Sequence, residues 1–214
     1  MQSPTATLAP TGVPLLEIDP GLIPEVSEYA DLVSIAADLD RVNTYCERLF
    51  NLVGAHGDDS LLVDALYVAA LIRYRRCFTT GKRSSLDEAA VADLPGASAT
   101  HRYYLDLASK LAAHSVNPFE RTGAGVMLGQ TADGQHIVVG VGHLSAKLIA
   151  PDRDGASTLG KLARAFRDHV QARVKALEAA ISSAANALTQ DQLRALKPLT
   201  FTAPGPDAAG KARK

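Results

Sequence analysis

A long run of helical periodicity near the carboxyl end constrains the fold more than any other feature of this sequence. Between Thr158 and Leu188, apolar residues recur in steps of three or four: Leu159, Leu162, Phe166, Val170, Val174, Leu177, Ile181, Ala184 and Leu188. This spacing places them along one face of an α-helix. Such a helix measures roughly 46 Å at about 1.5 Å per residue. We expect one end of it to project and form a dimer contact.

Three earlier segments carry the same helical spacing, and each ends at a sequence break. They span about residues 25–53, 60–78 and 98–114. Two β-rich runs, 125–131 and 135–141, then flank Asp133-Gly134, which is a strong signal for a tight hairpin turn. The sequence therefore predicts a mainly α fold: an antiparallel four-helix bundle with a β-hairpin insertion at about 124–142 and a long C-terminal helix.

The two ends of the chain differ in composition from its centre. Five prolines fall within residues 1–24, which predicts an extended or disordered arm because proline lacks a backbone donor. Residues 198–214 are rich in Pro, Gly and Ala and end in Lys-Ala-Arg-Lys, which indicates a flexible basic tail. Residues 25–197 are expected to form a single helical-bundle domain.

Composition narrows the class of protein. The 214 residues include two cysteines, Cys46 and Cys77, which are too few for a secreted disulfide scaffold. The N-terminal segment lacks the charged and apolar regions of a signal peptide. No apolar run approaches the roughly 18 residues needed to span a bilayer. We expect a cytoplasmic protein without a membrane partner.

Charge is distributed unevenly although the net charge is only −1. Residues 1–66 hold two basic and eleven acidic residues, a balance of −9, and the remainder balances at +8. The segment 66–86 carries no acid and five basic residues: Arg73, Arg75, Arg76, Lys82 and Arg83. This basic block either binds an anion or faces the acidic first segment within the fold. The sequence leaves both interpretations open.

The end of the third predicted helix concentrates residues suited to proton transfer. His114 is the side chain best able to move a proton near neutral pH. Lys110, one turn earlier, is placed to stabilise an anionic transition state, and Asn117 or Glu120 to orient the imidazole. The alternative is structural, because a histidine in a last helical turn also interacts favourably with the helix dipole.

The segment 110–120, KLAAHSVNPFE, together with the upstream pattern Tyr67…Arg73-Tyr74…Arg76-x-Phe78…Arg83, resembles the HEPN superfamily over about residues 28–120. These proteins are small helical bundles, and the resemblance implies a homodimer that cleaves RNA without metal or cofactor, as toxin or defence components do. It implies His114 as the catalytic acid and base. It also implies a set of RNA contacts, namely Arg73, Arg76, Arg83, Lys110, Asn117 and Glu120. The family carries an arginine separated from its histidine by four to six residues, which corresponds to positions 107–109, and these are Leu, Ala and Ser here.

Two functions therefore remain as hypotheses. The first is an RNA-binding protein, with metal-independent endoribonuclease activity as its catalytic version. The alternative is a non-catalytic, dimeric scaffold that uses the long helix and the hairpin as interfaces for a protein partner. They differ in whether the basic block lines an open groove or is neutralised by the first helix. No metal-ligand or phosphate-loop motif occurs, and the odd separation of His136 and His143 predicts opposite faces of a strand.

Overall fold

Helices dominate the structure, a computed structural model that describes residues 14–53, 60–79, 83–91, 96–113, 120–147, 151–201 and 205. The helices in these ranges are α1 Glu25–Leu52, α2 Ser60–Arg76, α3 Ala97–Ala113, α4 Arg153–Asn186 and α5 Gln190–Ala195, with a 3₁₀ helix at Glu88–Val91. The strands are β1 Leu16–Glu17, β2 Glu120–Gln130, β3 His136–Lys147 and β4 Lys197–Pro198. The prediction of a mainly α fold is confirmed. Within the described ranges, no helix combines the length and the apolarity that crossing a bilayer requires.

The boundary of the long helix differs from the prediction. α4 begins at Arg153, five residues before the expected Thr158. The carboxylate of Asp152 accepts a hydrogen bond from the Gly155 backbone N–H at 2.8 Å, as a helix N-cap does. This cap extends the helix through Gly155, although glycine lowers helix propensity.

The chain divides into two compact units. The larger unit comprises Ile35–Thr79 and Ser85–His169. Its core is built from side chains of α1, α2, α3 and the first half of α4. The largest fully buried side chains of this core are Ile35, Leu39, Val42, Leu49, Leu71, Tyr74, Leu107, Leu159 and Phe166.

A close helix approach occurs within this larger unit. A β-carbon placed on Gly160 of α4 would lie 3.2 Å from the β-carbon of Cys46 on α1. The absence of a side chain at Gly160 therefore lets the two backbones pack closely. Cys46 is buried here, and burial raises the pKa of its thiol to about 12.

The smaller unit comprises Met1–Ser34, Thr80–Ser84 and Val170–Lys214. Its buried side chains are Ile23, Leu32, Val170 and Leu177. The guanidinium of Arg173 donates two hydrogen bonds to the carboxylate of Glu28, at 2.8 and 2.9 Å. β1 pairs antiparallel with β4, so the described end of the predicted N-terminal arm is extended and hydrogen-bonded. Residues 1–13 lie outside the described ranges.

β2 and β3 form an antiparallel hairpin that is longer than the predicted 124–142. The ladder runs from the pair Glu120–Lys147 to the pair Gln130–His136 and includes Gly123, Gly125, Gly140 and Gly142. Ladder hydrogen bonds involve only the backbone, so the glycines are compatible with pairing. The register shifts by one residue between Met127 and Leu128, which leaves Val139 as the extra residue of a β-bulge.

Candidate functional site

Two arginines of the basic block contact an acid of the first helix. Asp38 of α1 is 5% exposed. One carboxylate oxygen accepts a hydrogen bond from Nη1 of Arg73 at 2.8 Å, and the other lies 3.6 Å from Nε of Arg76. Hydrogen bonds to Tyr45 and to Asp38 raise the pKa of Arg73 above its ordinary value. The first helix thus places one carboxylate against two arginines of the basic block.

Arg83 lies in the smaller unit and also contacts α1. Its Nη1 donates a hydrogen bond to the Ser34 hydroxyl at 3.1 Å. The neighbouring Ser84 backbone N–H donates to the carboxylate of Asp31 at 2.8 Å. These contacts hold the segment at Arg83 and Ser84 against the first helix of that unit.

Of the remaining predicted site residues, the structure describes Lys110 and Glu120. Lys110 is exposed in the last turn of α3. His114 and Asn117 lie outside the described residues, so their proposed roles stay predictions. Glu120 begins β2, where its backbone is paired with that of Lys147. The structure brings Arg73 and Arg76 together at Asp38.

A buried histidine that the sequence reasoning did not single out lies at the centre of an aromatic cluster. His101 of α3 is 3% exposed, and its Nδ1 lies 2.8 Å from the hydroxyl of Tyr74. Its ring centroid is 4.4 Å from that of Phe78 and 5.3 Å from that of Phe166. Tyr74, Phe78 and Phe166 also contact one another in edge-on or tilted geometry, which is the arrangement that aromatic quadrupoles favour.

Burial sets the protonation of this pair. It raises the pKa of Tyr74, so the phenol keeps its proton and shares a hydrogen bond with Nδ1 of His101 whose direction depends on the imidazole tautomer. Burial also lowers the pKa of His101 from its ordinary 6.5, although the nearby Glu88 acts in the opposite direction and Arg102 adds to the decrease.

His101 also lines a cavity of about 470 Å³. The walls are formed by Phe78, Leu86 and Leu105, and the polar rim includes Asp87, Glu88 and Arg102. Arg102 lies 3.3 Å from the carboxylate of Glu88, so the rim charges are partly paired with each other. On the side of this cavity, His101 shares the lining with the polar residues Asp87, Glu88 and Arg102.

The lowered pKa of His101 predicts a loss of stability in acid. Because the folded pKa is below the unfolded value of 6.5, the unfolded chain binds the proton more readily. The stability contributed by the neutral ring is complete above about pH 6.5 and is lost as the pH falls through the folded pKa. We expect urea midpoints to fall between pH 7.5 and pH 5 in the wild type, and to fall less steeply in His101→Gln.

The exposed His169 of α4 supplies the matched control for this experiment. His169→Gln removes an exposed imidazole outside the aromatic cluster and should keep the wild-type slope of stability against pH. Equal slopes for His101→Gln and the wild type would show that the buried imidazole does not control acid sensitivity.

A second cavity of about 290 Å³ lies between α1 and α4 in the larger unit. Gly160 and Ala156 form its narrow side, while Lys161 and Arg164 lie at its edge. Arg164 is 3.5 Å from the carboxylate of Glu47 across this groove. Polar and apolar side chains both line the groove, and two of its charged residues, Arg164 and Glu47, form an ion pair.

The hairpin exposes large apolar side chains on both of its faces. Those more than 40% exposed are Val126, Met127, Leu128, Ile137, Val138, Val139, Val141 and Leu144. The signal for this was present in the sequence, because apolar residues at consecutive positions, such as Val126-Met127-Leu128, point to both faces of a strand. Sequence reasoning located the strands but did not identify this exposure.

The prediction that His136 and His143 lie on opposite faces is wrong. His143 is paired with Ala124 and His136 with Gln130, and these partners are six residues apart on β2. Paired residues share a face, so both histidines lie on the same side of the hairpin. The bulge at Val139 changes the parity of β3. Among the described residues, no cluster of three or more His, Cys, Asp or Glu is arranged to hold a metal ion.

Comparison of this chain with protein-family models, with curated proteins and with solved structures finds no match.

Proposed function

We propose that this chain is a non-catalytic interaction protein whose binding element is the β2–β3 hairpin. In this proposal the four long helices form an antiparallel bundle that carries the hairpin, and the protein acts in the cytoplasm. The observation that carries the proposal is the exposure of the hairpin. Val138 is 61% exposed and Val141 is 74% exposed, with similar side chains beside them.

Such exposure is unfavourable for a protein that acts alone. Monomeric proteins rarely show contiguous apolar patches larger than a few hundred Å², and larger ones mark interaction sites. An isolated two-stranded hairpin is also only marginally stable in water. A partner that covers the hairpin would remove apolar surface from water and stabilise the strands together.

The contacts of the arginines support interaction over RNA cleavage. An RNA-binding groove requires cations directed toward solvent, whereas Arg73 donates to a carboxylate that is itself buried. Arg83 donates to Ser34. The cations proposed as phosphate contacts are thus used, at least in part, to hold elements of this chain together.

Photocrosslinking tests the interaction proposal. The photoreactive residue p-benzoylphenylalanine is introduced at Val141 of the full chain in its host cell, and crosslinked products are identified by mass spectrometry. We expect a defined protein adduct from position 141 and none from the control at Leu61 of α2, which is 80% exposed. The absence of any adduct from position 141 would contradict the proposal.

RNA cleavage is the second candidate function, and one observation favours it. The side chain of Arg76 is 56% exposed despite its contact with Asp38, and Lys110 is exposed. The test is incubation of wild type and His114→Ala with a mixed RNA pool in the presence of a chelator. Under the interaction proposal, neither protein cleaves RNA. Cleavage by the wild type alone would overturn that proposal and establish His114 as a nuclease residue.

A further inference from the structure

The buried histidine His101 reaches the cavity that it lines through one nitrogen of its ring. Its Nδ1 lies 2.8 Å from the Tyr74 hydroxyl, and its Nε2 makes no hydrogen bond to a described residue. Nε2 is also not among the fully buried side-chain atoms that lack a partner in the described part of the chain, which are Oδ1 of Asn43 and Nε of Arg167. The exposed surface of His101, 3% of the residue, therefore includes Nε2, and it opens into the cavity.

The position of Nε2 is suited to receiving a hydrogen bond from a ligand or donating one to it. The contact between Nδ1 and Tyr74 fixes the ring, so Nε2 is held in a constant direction. Polar atoms inside a protein are normally hydrogen-bonded. Nε2 is a donor in one neutral tautomer of imidazole and an acceptor in the other. A ligand hydroxyl, which both donates and accepts, matches Nε2 in either tautomer.

The walls of the cavity are suited to an apolar ligand body. Phe78, Leu86 and Leu105 form these walls, and the Phe78 ring lies edge-on to that of His101 at a centroid distance of 4.4 Å. The cavity volume of about 470 Å³ is within the range of roughly 300–1,000 Å³ found for small-molecule sites. An aromatic ring can thus pack against the walls and remain close to Nε2.

The charges at the rim favour a cation. Asp87 and Glu88 supply two carboxylates and Arg102 one guanidinium, which gives a net charge of −1. The Glu88 carboxylate accepts hydrogen bonds from the Ser98 hydroxyl and from Arg102, both at 3.3 Å, and it has about four acceptor positions in all. Burial is the largest influence on the pKa of His101 and lowers it, but Glu88 raises that pKa more strongly than Arg102 lowers it. The potential from these two charges at the ring is therefore negative.

We propose that this cavity binds a small aromatic ammonium ion that carries a hydroxyl group. The ring of the ligand lies between the apolar walls, and its ammonium group pairs with the carboxylates of Asp87 and Glu88. Its hydroxyl forms a hydrogen bond with Nε2 of His101. The cavity is lined by residues of the larger unit alone, and the hairpin contributes none of them. This binding activity goes beyond the proposed interaction function and does not depend on it.

Tyramine, an aromatic ammonium ion with a phenolic hydroxyl, is the probe that tests this proposal. Nuclear magnetic resonance of the histidine ring nitrogens in the isotope-labelled full chain measures its binding. We expect a saturable shift of the Nε2 resonance of His101, which is assigned with His101→Gln. The resonances of the exposed His169 should not move. For a ligand of about ten non-hydrogen atoms, we expect a dissociation constant of about 0.1–1 mM.

Two related compounds separate the contributions of charge and hydroxyl in the wild type. Hydroxyphenylpropionate replaces the ammonium group by a carboxylate and should cause no saturable shift. Phenethylamine lacks the hydroxyl and should bind at least about threefold more weakly than tyramine. Binding of hydroxyphenylpropionate as tightly as tyramine would overturn the selection of a cation. Equal affinities for phenethylamine and tyramine would overturn the hydrogen bond to Nε2.

Glu88→Gln tests the carboxylate at the rim. Glutamine keeps the size of the side chain and its acceptor oxygen but removes the charge, so we expect the dissociation constant for tyramine to rise about tenfold. Glu47→Gln removes the same charge from a side chain that is 68% exposed and outside this cavity, and it should bind tyramine as the wild type does. Far-UV circular dichroism establishes that each variant is folded.

Two further results would overturn the proposal as a whole. One is a wild type in which up to about 10 mM tyramine leaves the ring nitrogens of His101 unchanged, since this is well above the expected dissociation constant. The other is equal affinity of Glu88→Gln, Glu47→Gln and the wild type for tyramine. Neither result bears on the hairpin, because the crosslinks from Val141 are measured separately.

Discussion

Replacing Phe166 with alanine is expected to lower the free energy of unfolding by about 3–5 kcal/mol, the usual cost of truncating a buried aromatic ring. Phe166 is 0% exposed. Its ring contacts Phe78, His101 and Tyr74 at centroid distances of 4.7, 5.3 and 6.2 Å. The loss combines the transfer of apolar area, the cavity left behind and the removal of three edge-on or tilted ring contacts.

Equilibrium urea unfolding, followed by circular dichroism at pH 7.5, measures this effect. Typical domains have a total stability of about 5–15 kcal/mol, so Phe166→Ala is expected to bring the chain close to unfolding. Phe201→Ala makes the same chemical change at a side chain that is 82% exposed and should shift stability by less than about 0.5 kcal/mol. A loss below about 1 kcal/mol in Phe166→Ala would show that the aromatic cluster does not stabilise the core.

Neutralising Asp38 is expected to cost about 1–3 kcal/mol, in the range of hydrogen bonds to charged groups. Asp38→Asn keeps the size of the side chain but leaves Arg73 and Arg76 facing a buried amide in place of a carboxylate. The side chains of these arginines are 35% and 56% exposed, so water compensates part of the loss. The cost is therefore below that of breaking a fully buried ion pair.

The matched control for Asp38→Asn is Glu47→Gln. Glu47 lies 3.5 Å from Arg164, and the two side chains are 68% and 60% exposed. Exposed ion pairs contribute about 0–1 kcal/mol, so this variant should remain near wild-type stability in the same urea experiment. Equal free energies of unfolding for the two variants would show that the contacts of the buried Asp38 carboxylate stabilise the fold no more than an exposed ion pair does.

The sequence predicts the helices of this fold well because their signal is local. α1 was expected over 25–53 and spans Glu25–Leu52, since apolar periodicity and the following glycine define both ends. The start of α4 was missed because the periodic apolar residues begin only at Leu159. The Pro151-Asp152 pair was an available signal, since aspartate is a favoured N-cap.

The candidate site was harder to predict because it depends on contacts between distant segments. From the sequence, contact between the basic block and the acidic first segment is only one of two alternatives. Arg73 and Asp38 are 35 positions apart, and no local pattern specifies their pairing. The burial of His101 depends on side chains from α2 and α4 that meet around it. The faces of His136 and His143 depend on one bulge, and the even alternation assumed for a strand does not reveal it.

The burial of the two cysteines has a practical consequence for studying this protein. Cys46 is 3% exposed and Cys77 is 0% exposed, and reaction with maleimide requires an accessible thiolate. Both native thiols should therefore stay unlabelled while the chain is folded. A single cysteine introduced on the hairpin can then carry a fluorophore or a spin label without any background from the native sequence.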